Sequence, residues 1–327
     1  MKEFFHRLVT LLLGLIPLVA PQLARAQSGS YPERAILLVV PFAPGAGTDA
    51  MGRLLGAKLA EGFHEKVVVE NRTGASGAIG ARSVAQAAPD GYTLLLIASP
   101  FTTTAAAVSE AGYDPVTQFA PVSLIATGPL VWAANVKVPA DNMQELLAFA
   151  RTNPGRVNYG SAGAGSVNHL VLELLQAKAG VYITHIPYRG IAPATTDMIS
   201  GEIQLVTGTI PALLGHIREG RVKALAVTSS KRSSALPNVP SMTESGLRGF
   251  DVLNYFGIVA PAGTPAGIIA KLNAELHRIV ATADMVKRFA GDALEAAAGT
   301  PAQLGQFIAA DFESWRAMVK AQKLQIN

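Results

Sequence analysis

A glycine-rich turn connects the first predicted strand to a predicted helix. It reads Gly45-Ala46-Gly47-Thr48-Asp49 and follows the run Pro41-Phe42-Ala43-Pro44. A turn of this kind exposes several backbone N–H groups at the positive end of the helix dipole, which favours an anion such as a carboxylate. Thr48 and Asp49 are also good helix caps, so each can contact a ligand, cap the helix, or do both. The predicted contacts here are Phe42, Gly45, Ala46, Gly47, Thr48 and Asp49.

A second turn of the same type lies in the middle of the chain. The strand predicted at Val157–Tyr159 leads into Gly160-Ser161-Ala162-Gly163-Ala164-Gly165-Ser166, and a helix begins at Val167. Open α/β sheets bind ligands at the carboxyl ends of their strands, where both turns lie. Two such anion sites predict a clamp that closes on one ligand. The predicted contacts here are Ser161, Gly163, Ala164, Gly165, Ser166 and His169.

Two further loops follow predicted strands and add side-chain chemistry. In the loop His185-Ile186-Pro187-Tyr188-Arg189-Gly190, Tyr188 can stack on a ligand and Arg189 can pair with a carboxylate. Exposed arginines are common, so Arg189 is equally compatible with a solvated loop. Ser99 directly follows the strand that ends at Ala98 and can donate its hydroxyl. We include Ser99, Tyr188 and Arg189 among the predicted ligand contacts.

Enzyme signatures in the chain are weak. The run from Gly45 to Ala50 fits the G-x-G-x-x-A dinucleotide pattern, but Asp49 would place a negative charge beside the pyrophosphate. No Lys-Ser or Lys-Thr follows a glycine-rich turn, which excludes a P-loop. Ser166 and His169 have the spacing of a dyad, which leaves an exported acyl hydrolase as an alternative, although Ser166 suits a helix cap better. The histidines lack metal-ligand spacing, so we expect no metal and no cofactor.

The N-terminus has the three parts of a cleavable export signal. Lys2 and Arg7 precede the apolar run Leu8–Ala20, and the small-residue site Ala24-Arg25-Ala26 follows. The run is shorter than the ~20 residues that span a bilayer, and no stop-transfer segment follows, which disfavours a membrane anchor. We predict cleavage after Ala26 and a periplasmic location.

Charge and cysteine content narrow the class of protein. Removing Lys2, Glu3, Arg7 and Arg25 with the leader lowers the formal net charge from +4 to +2. The remaining basic residues are scattered rather than clustered, which disfavours nucleic acid as a partner. The chain has no cysteine, so no disulfide can stabilise it outside the cytoplasm. Its length is sufficient to bury a large apolar core instead.

Short strands alternate with helical stretches along most of the chain, which is typical of α/β proteins with parallel sheets. One series ends near Pro121, and a second spans about residues 138–228. We therefore expect two lobes, each a sheet flanked by helices. The extended apolar stretches Val122–Val136 and Val252–Pro261 can carry the chain between the lobes.

Helical segments are predicted after the first turn and at the C-terminus. Met51, Leu54 and Leu59 repeat at helical spacing directly after the first glycine-rich turn. The tail contains two helical stretches, Pro265–Val280 and Pro301–Lys320, without a strand series of their own. We expect this tail to pack on the first lobe.

Sequence blocks in a fixed order cover essentially the whole mature chain. The opening block runs from Tyr31-Pro32 through Val39-Val40-Pro41-Phe42-Ala43-Pro44-Gly45 to Thr48-Asp49 and Arg53. The later blocks are Val69-Glu70-Asn71-Arg72, Pro89-Asp90-Gly91-Tyr92-Thr93-Leu94, Asn158-Tyr159-Gly160-Ser161, His185-Ile186-Pro187-Tyr188, Ala224-Leu225-Ala226-Val227-Thr228 and Ala260-Pro261-Ala262-Gly263-Thr264-Pro265. In these blocks the chain resembles the Bug receptors, the extracytoplasmic solute receptors of tripartite tricarboxylate transporters.

The resemblance implies a two-lobed type II periplasmic-binding-protein fold of the Venus-flytrap kind. After the leader, residues 1–26, one lobe would comprise residues 27–126 plus 254–327, and the other residues 127–253. A small carboxylated solute would be held between the lobes, largely by backbone amides of the two glycine-rich turns. The membrane subunits of the transporter would then receive it.

Three positions depart from the family pattern. The chain has Gly208 where a second-lobe strand usually ends in an acidic residue, Ala212 where a serine is frequent, and Tyr255 in place of a tryptophan. Loss of the acid disfavours a solute with an amine, so we expect a non-amino carboxylic acid, with aromatic and dicarboxylic acids included. Phe42, Tyr188 and Tyr255 are the predicted apolar walls.

The expected function is binding and not catalysis, because anion-binding turns are present and an oriented nucleophile with an acidic partner is not. We expect the exported chain to act as a monomer. A ligand sensor for a signalling partner would use the same clamp, and the sequence leaves that alternative open.

Overall fold

The computed structural model describes residues 31–45 and 47–324. The chain divides into two compact units, residues 1–33 and 34–327, and the elements below belong to the second unit. The predicted leader, its cleavage site and Ala46 lie outside the described residues. Within the described ranges, every helix is too short or too polar to traverse a bilayer.

Ten strands in the described part of the second unit join into one sheet. They are β1 (Ile36–Val40), β2 (Val67–Asn71), β3 (Thr93–Ala98), β4 (Phe119–Asn135), β5 (Asn158–Ser161), β6 (Thr184–Pro187), β7 (Leu205–Thr209), β8 (Val222–Val227), β9 (Leu253–Pro261) and β10 (Glu295–Ala296). The main order is β2-β1-β3-β9-β4-β7-β5-β6, and β8 and β10 each pair with β4. Strands β2, β1 and β3 are parallel, and so are β7, β5 and β6, as the alternation of strands and helices predicts.

Strand β4 belongs to both halves of the sheet. From Phe119 to Pro129 it pairs with β9, and from Leu130 to Asn135 it pairs with β7 and β8. We call the β1, β2 and β3 side the first half and the β5, β6 and β7 side the second half. The pairings of β4, and that of β9 with β3, are antiparallel. The parallel pairing expected from the alternation of strands and helices does not extend to the crossover, because β4 and β9 run directly between the halves in opposite directions without a crossover helix.

Ten α-helices flank the sheet in the described residues. They are α1 (Gly47–Phe63), α2 (Ala78–Ala85), α3 (Pro100–Ala107), α4 (Met143–Thr152), α5 (Val167–Ala179), α6 (Ile191–Ser200), α7 (Ile210–Arg218), α8 (Ala266–Val280), α9 (Ala283–Gly291) and α10 (Pro301–Ala321). Helix α1 buries Met51, Leu55 and Leu59 at helical spacing against the sheet. Helix α10 begins with a capping box formed by Thr300 and Gln303.

Separate apolar clusters fill the two halves, and helix α10 reaches both. Leu304 and Ile308 of α10 pack into the first-half cluster around Ile97. Trp315 of the same helix joins Trp132 in the second-half cluster, so both tryptophans of the chain lie there. The tail is predicted to pack on the first lobe, but it also contacts the second half. A helix of 21 residues is about 30 Å long, so α10 extends past the crossover.

Candidate ligand-binding site

The predicted contact residues lie at the carboxyl edge of each half-sheet. In the first half, the turn at 41–49 follows β1 and Ser99 follows β3, and these strands are parallel neighbours. In the second half, the turn at 162–166 follows β5, Tyr188 follows β6 and Thr209 ends β7. Strands β7, β5 and β6 are also parallel. Because the carboxyl ends of parallel neighbours share one edge, each half brings its own candidate residues together.

The buried carboxylate of Asp49 organises the first turn. Its Oδ2 accepts hydrogen bonds from Gly45 N at 2.9 Å and from Arg53 Nε at 2.9 Å, and its Oδ1 accepts one from Asn71 Nδ2 at 2.8 Å. The bond from Arg53, followed by those from Gly45 and Asn71, lowers the pKa of Asp49 to about 2. The carboxylate therefore stays ionised and uses one turn amide itself. The sequence signal for this support is the i, i+4 spacing of Asp49 and Arg53.

The start of helix α1 is open to solvent. Asn71 Nδ2 also donates to the Phe42 carbonyl at 2.9 Å, which fixes the beginning of the turn. Gly45 and Gly47 are exposed, while Phe42 and Thr48 are half-buried. A Cβ added at Gly47 would meet no described atom within 4 Å. The first helical amides thus have free space beside them, as contact with a ligand requires.

Hydroxyl and imidazole groups hold the second turn. The Ser166 hydroxyl caps α5 by accepting from His169 N at 3.3 Å, and it donates to the Gly163 carbonyl at 2.7 Å. The Ser161 hydroxyl accepts from Gly163 N at 3.0 Å, and His169 Nδ1 accepts from Gly165 N at 3.1 Å. Several polar groups predicted to contact a ligand are therefore bonded within the turn.

Two stacked imidazoles lie behind the second turn. The rings of His169 and His185 are 4.0 Å apart and nearly parallel, at 10°. His185 Nε2 lies 2.6 Å from the Ser161 hydroxyl oxygen, and His169 Nε2 lies 3.5 Å from a Glu173 carboxylate oxygen. Burial, and next the neighbouring His169, lower the pKa of His185 to about 4. His185 is therefore neutral near pH 7.

This geometry does not form the hydrolase dyad. The contact recorded between Ser166 and His169 joins the hydroxyl to the backbone amide, whereas the His169 ring accepts from Gly165. Ser161, which does contact an imidazole, is fully buried. No group of three or more His, Cys, Asp or Glu side chains in the described residues is arranged to hold a metal ion.

The third loop is anchored to the second turn. Tyr188 N donates to the Ser161 carbonyl at 3.1 Å, and the Tyr188 hydroxyl donates to Asp197 at 2.8 Å. Burial and then the bond to Asp197 raise the pKa of Tyr188 to about 12. Ala164 and Arg189 are exposed at this edge.

Contacts between β3 and β9 change two of the expected roles. Ser99 is buried, and its hydroxyl donates to Asn254 Oδ1 at 3.0 Å, so it positions the Asn254 side chain. Tyr255 is 1% exposed, with its hydroxyl 3.0 Å from the Thr102 hydroxyl and its ring edge-on to Phe307. The prediction that Tyr255 is a wall of the ligand site is wrong, because this side chain points into the first-half core.

A cavity at the crossover, which we call the crossover cavity, joins elements of both halves. Its volume is about 680 Å³ when its open mouth is included. Its lining includes Gly47, Met51 and Leu54 of α1, Pro129 of β4, Pro211 of α7 and Phe256 of β9. The exposed start of α1 therefore shares one cavity with the start of α7 from the other half. Sequence reasoning missed Leu54 and Phe256 as lining residues, because both fit ordinary core patterns.

The position of the missing acid is filled by apolar side chains. Gly208 is buried in β7. A Cβ added there would lie 3.0 Å from Leu213 Cδ1 and 3.7 Å from Ile191 Cγ1. An acidic side chain at Gly208 would displace Leu213, so the local packing is consistent with a glycine at this site.

Two half-sheets joined by long crossover strands, with glycine-rich turns at their carboxyl edges, define a two-lobed binding protein of the type II periplasmic kind. The chain belongs to the family described as Tripartite tricarboxylate transporter family receptor (TctC), which it matches over residues 51–324. This is a family of receptors and not of enzymes.

Relatives agree with this assignment over most of their lengths. Protein BugT of Bordetella pertussis is 36% identical over 310 residues, which are 94% of this chain and 95% of BugT. Rpa4515 of R. palustris, solved with adipate, is 32% identical with a TM-score of 0.79, covering 90% of this chain and 99% of its own. MatC (Rpa3494) of Rhodopseudomonas palustris, solved with bound malate, is 32% identical with a TM-score of 0.76, covering 88% of this chain and 100% of its own.

Proposed function

We propose that this protein is a periplasmic receptor that captures a small carboxylate without an amine and delivers it to the membrane subunits of a tripartite tricarboxylate transporter. The observation that carries this function is the family match over residues 51–324. Adipate and malate, the ligands solved with Rpa4515 and MatC, are both carboxylates without an amine. The three-part leader before Gln27 supports export, with cleavage after Ala26, and we expect the mature chain to act as a monomer.

The solute is held between two lobes, residues 27–126 plus 254–327 and residues 127–253. Both lobe boundaries fall on the crossover strands β4 and β9. The partner of β4 changes from β9 to β7 between Pro129 and Leu130, which supports a hinge at this point. Hinge closure between such lobes is a common way to enclose a ligand and present it to a partner.

The predicted carboxylate contacts are backbone amides, supported by fixed turns. The first turn offers the open start of α1 at Gly47, and Arg53 balances the charge of Asp49 beside it. An amine would need an acceptor charge in the site. The second-half strand offers Gly208 with Leu213 packed against it, which supports a solute without an amine.

A thermal-shift screen of the mature protein tests this function. The panel comprises mono-, di- and tricarboxylates, aromatic acids and amino acids. An acid at a hundredfold its dissociation constant stabilises the protein by about 2.7 kcal/mol and raises the melting temperature measurably. If no acid shifts the melting curve while an ester or amide is hydrolysed, the receptor function is wrong.

A negative charge introduced at the start of α1 tests whether the solute's carboxylate binds there. Gly47→Glu is expected to weaken carboxylate binding about a hundredfold by like-charge repulsion, measured by isothermal titration calorimetry. Gly47→Gln, of the same size and uncharged, serves as the control and keeps most of the affinity. Both variants should fold, because a side chain at Gly47 meets no described atom within 4 Å. Equal affinities of the two variants would place the carboxylate elsewhere.

A further inference from the structure

The crossover cavity continues from the start of α1 along one face of that helix. Gly47, Met51 and Leu54 are three or four residues apart, so they form one stripe that leads away from the first turn. Pro211 at the start of α7 lines the cavity from the second half. If the carboxylate of a solute binds at the first amides of α1, the hydrocarbon part of that solute lies at the entrance of this cavity.

The wall of the cavity is mainly hydrocarbon. Met51 and Leu54 line it from α1, and Phe256, Pro129 and Leu294 line it from the crossover strands and the segment after α9. Sites with apolar walls and few polar groups bind ligands through their hydrocarbon parts and orient them with the polar groups. The cavity thus suits a ring or an alkyl chain.

The two charged groups in the described lining of the cavity are paired with each other. Arg288 is the cation among its described lining residues, and its Nε is 2.7 Å from Asp292 Oδ2. Both side chains are partly exposed. A second carboxylate would compete with Asp292 for this guanidinium. The other polar side chains are uncharged, those of Asn254 and Thr209.

We propose that the crossover cavity receives the apolar body of the solute, so the solute is an aromatic or medium-chain aliphatic monocarboxylate. This assignment rests on the proposed receptor function and names the substrate class of the same site. The carboxylate lies at the first amides of α1, and the ring or chain contacts Leu54 and Phe256. Met51 and Pro211 also line the cavity.

Calorimetric titration with two acid series tests the assignment on the mature wild-type protein. The first series is propanoate, butanoate, pentanoate, hexanoate and benzoate, and the second is succinate and adipate. Affinity should rise roughly fourfold for each added methylene that enters the cavity. Hexanoate and benzoate should therefore bind more tightly than either dicarboxylate.

Two cavity variants and one control test whether the solute's hydrocarbon part contacts the cavity wall. Leu54→Gln should weaken hexanoate and benzoate about tenfold and leave propanoate within about twofold, because a buried apolar contact is replaced by an amide. Leu54→Met keeps an apolar side chain and is the matched control. Ala50 is exposed and lines the cavity, so Ala50→Phe can narrow it without disturbing the core, with the same selective loss expected.

The outcomes distinguish this assignment from the receptor function. If a dicarboxylate binds most tightly and neither Leu54→Gln nor Ala50→Phe changes the ranking, the cavity assignment is wrong and the receptor function stands. If no acid of either series, and no other carboxylate, binds the wild-type protein, the receptor function is wrong as well.

Discussion

The two glycine-rich turns occupy equivalent places in their half-sheets but are supported by different chemistry. In the first turn an ionised carboxylate, Asp49, accepts from a guanidinium, a side-chain amide and a backbone amide. In the second turn the supports are the hydroxyls of Ser161 and Ser166 and the imidazoles of His169 and His185, with no carboxylate among them. A glycine-rich turn before a helix is thus supported once by an ionised carboxylate and once by hydroxyl and imidazole groups.

Because of this difference, we expect the hydrogen bonds of the two turns to respond differently to pH. The pKa of Asp49 is about 2, so its charge is constant above about pH 4. The pKa of His185 is about 4, and protonation of this ring would leave its Nε2 unable to accept a hydrogen bond from the Ser161 hydroxyl. The first turn should therefore keep its geometry under conditions that change the second.

The largest expected effect is the loss of the first turn's carboxylate. Asp49→Ala should lower the free energy of unfolding by about 2 to 3 kcal/mol, because Arg53, Asn71 and Gly45 all lose an ionised acceptor. Ser161→Ala in the second turn removes a neutral hydroxyl and should cost about 1 kcal/mol. Urea denaturation at pH 7 measures both. Equal losses would mean that charge does not distinguish the turns.

Matched glycine substitutions give the next largest effect. Gly163 has a φ of +123°, where other residues are strained, so Gly163→Ala should destabilise the protein by about 1 to 2 kcal/mol. Gly47 lies in the first turn of α1 without a positive φ, so Gly47→Ala should stabilise it by up to about 1 kcal/mol. Thermal unfolding compares the two variants. A stabilised Gly163→Ala protein would show that the second turn is less constrained than its backbone indicates.

The smallest expected effect is a pH dependence that arises in the second turn. The unfolded chain protonates His185 near pH 6.5, whereas the folded chain does so only near pH 4. The unfolded state therefore binds more protons in this window, so stability falls as the pH drops from 6.5 to 4. Exposure of the ring reduces the size of this fall.

The control for this pH dependence is His185→Gln, which keeps a hydrogen-bonding side chain without a titrating ring. The free energies of unfolding of the two proteins, measured in urea from pH 7 to pH 4, should converge at low pH. Asp49 cannot cause the convergence, because its contribution is lost only below about pH 4. Parallel pH profiles would assign the dependence to other groups.

The sequence predicts the local elements of this fold well and the crossover poorly. Helix α10 begins at Pro301, as the predicted stretch Pro301–Lys320 requires, and β4 and β9 match the two extended apolar stretches closely. Strand position in the sheet is not local information. Nothing near Leu253 indicates that β9 inserts between β3 and β4, since that placement depends on pairing with residues more than a hundred positions away.

For the site, too, the sequence predicts local features but not which side chains face the cavity. Glycine-rich turns after strands are local signals, so both turns could be located in advance. The predicted wall residue Tyr255 and its neighbour Phe256 show this limit. Neighbouring side chains of a strand point to opposite faces, so Tyr255 lies in the core and Phe256 lines the crossover cavity. Only the register of β9 against β3 decides between these two residues.

The shared second-half location of Trp132 and Trp315 makes the chain's intrinsic fluorescence a reporter of one half. Trp132 is fully buried and Trp315 is 5% exposed, so both indoles should emit at short wavelength in the folded protein. Their emission moves to longer wavelength when the second-half cluster opens, whichever state the first half is in. Circular dichroism averages over the helices of both halves. Denaturation followed with both signals therefore measures whether the crossover couples the halves into one cooperative unit.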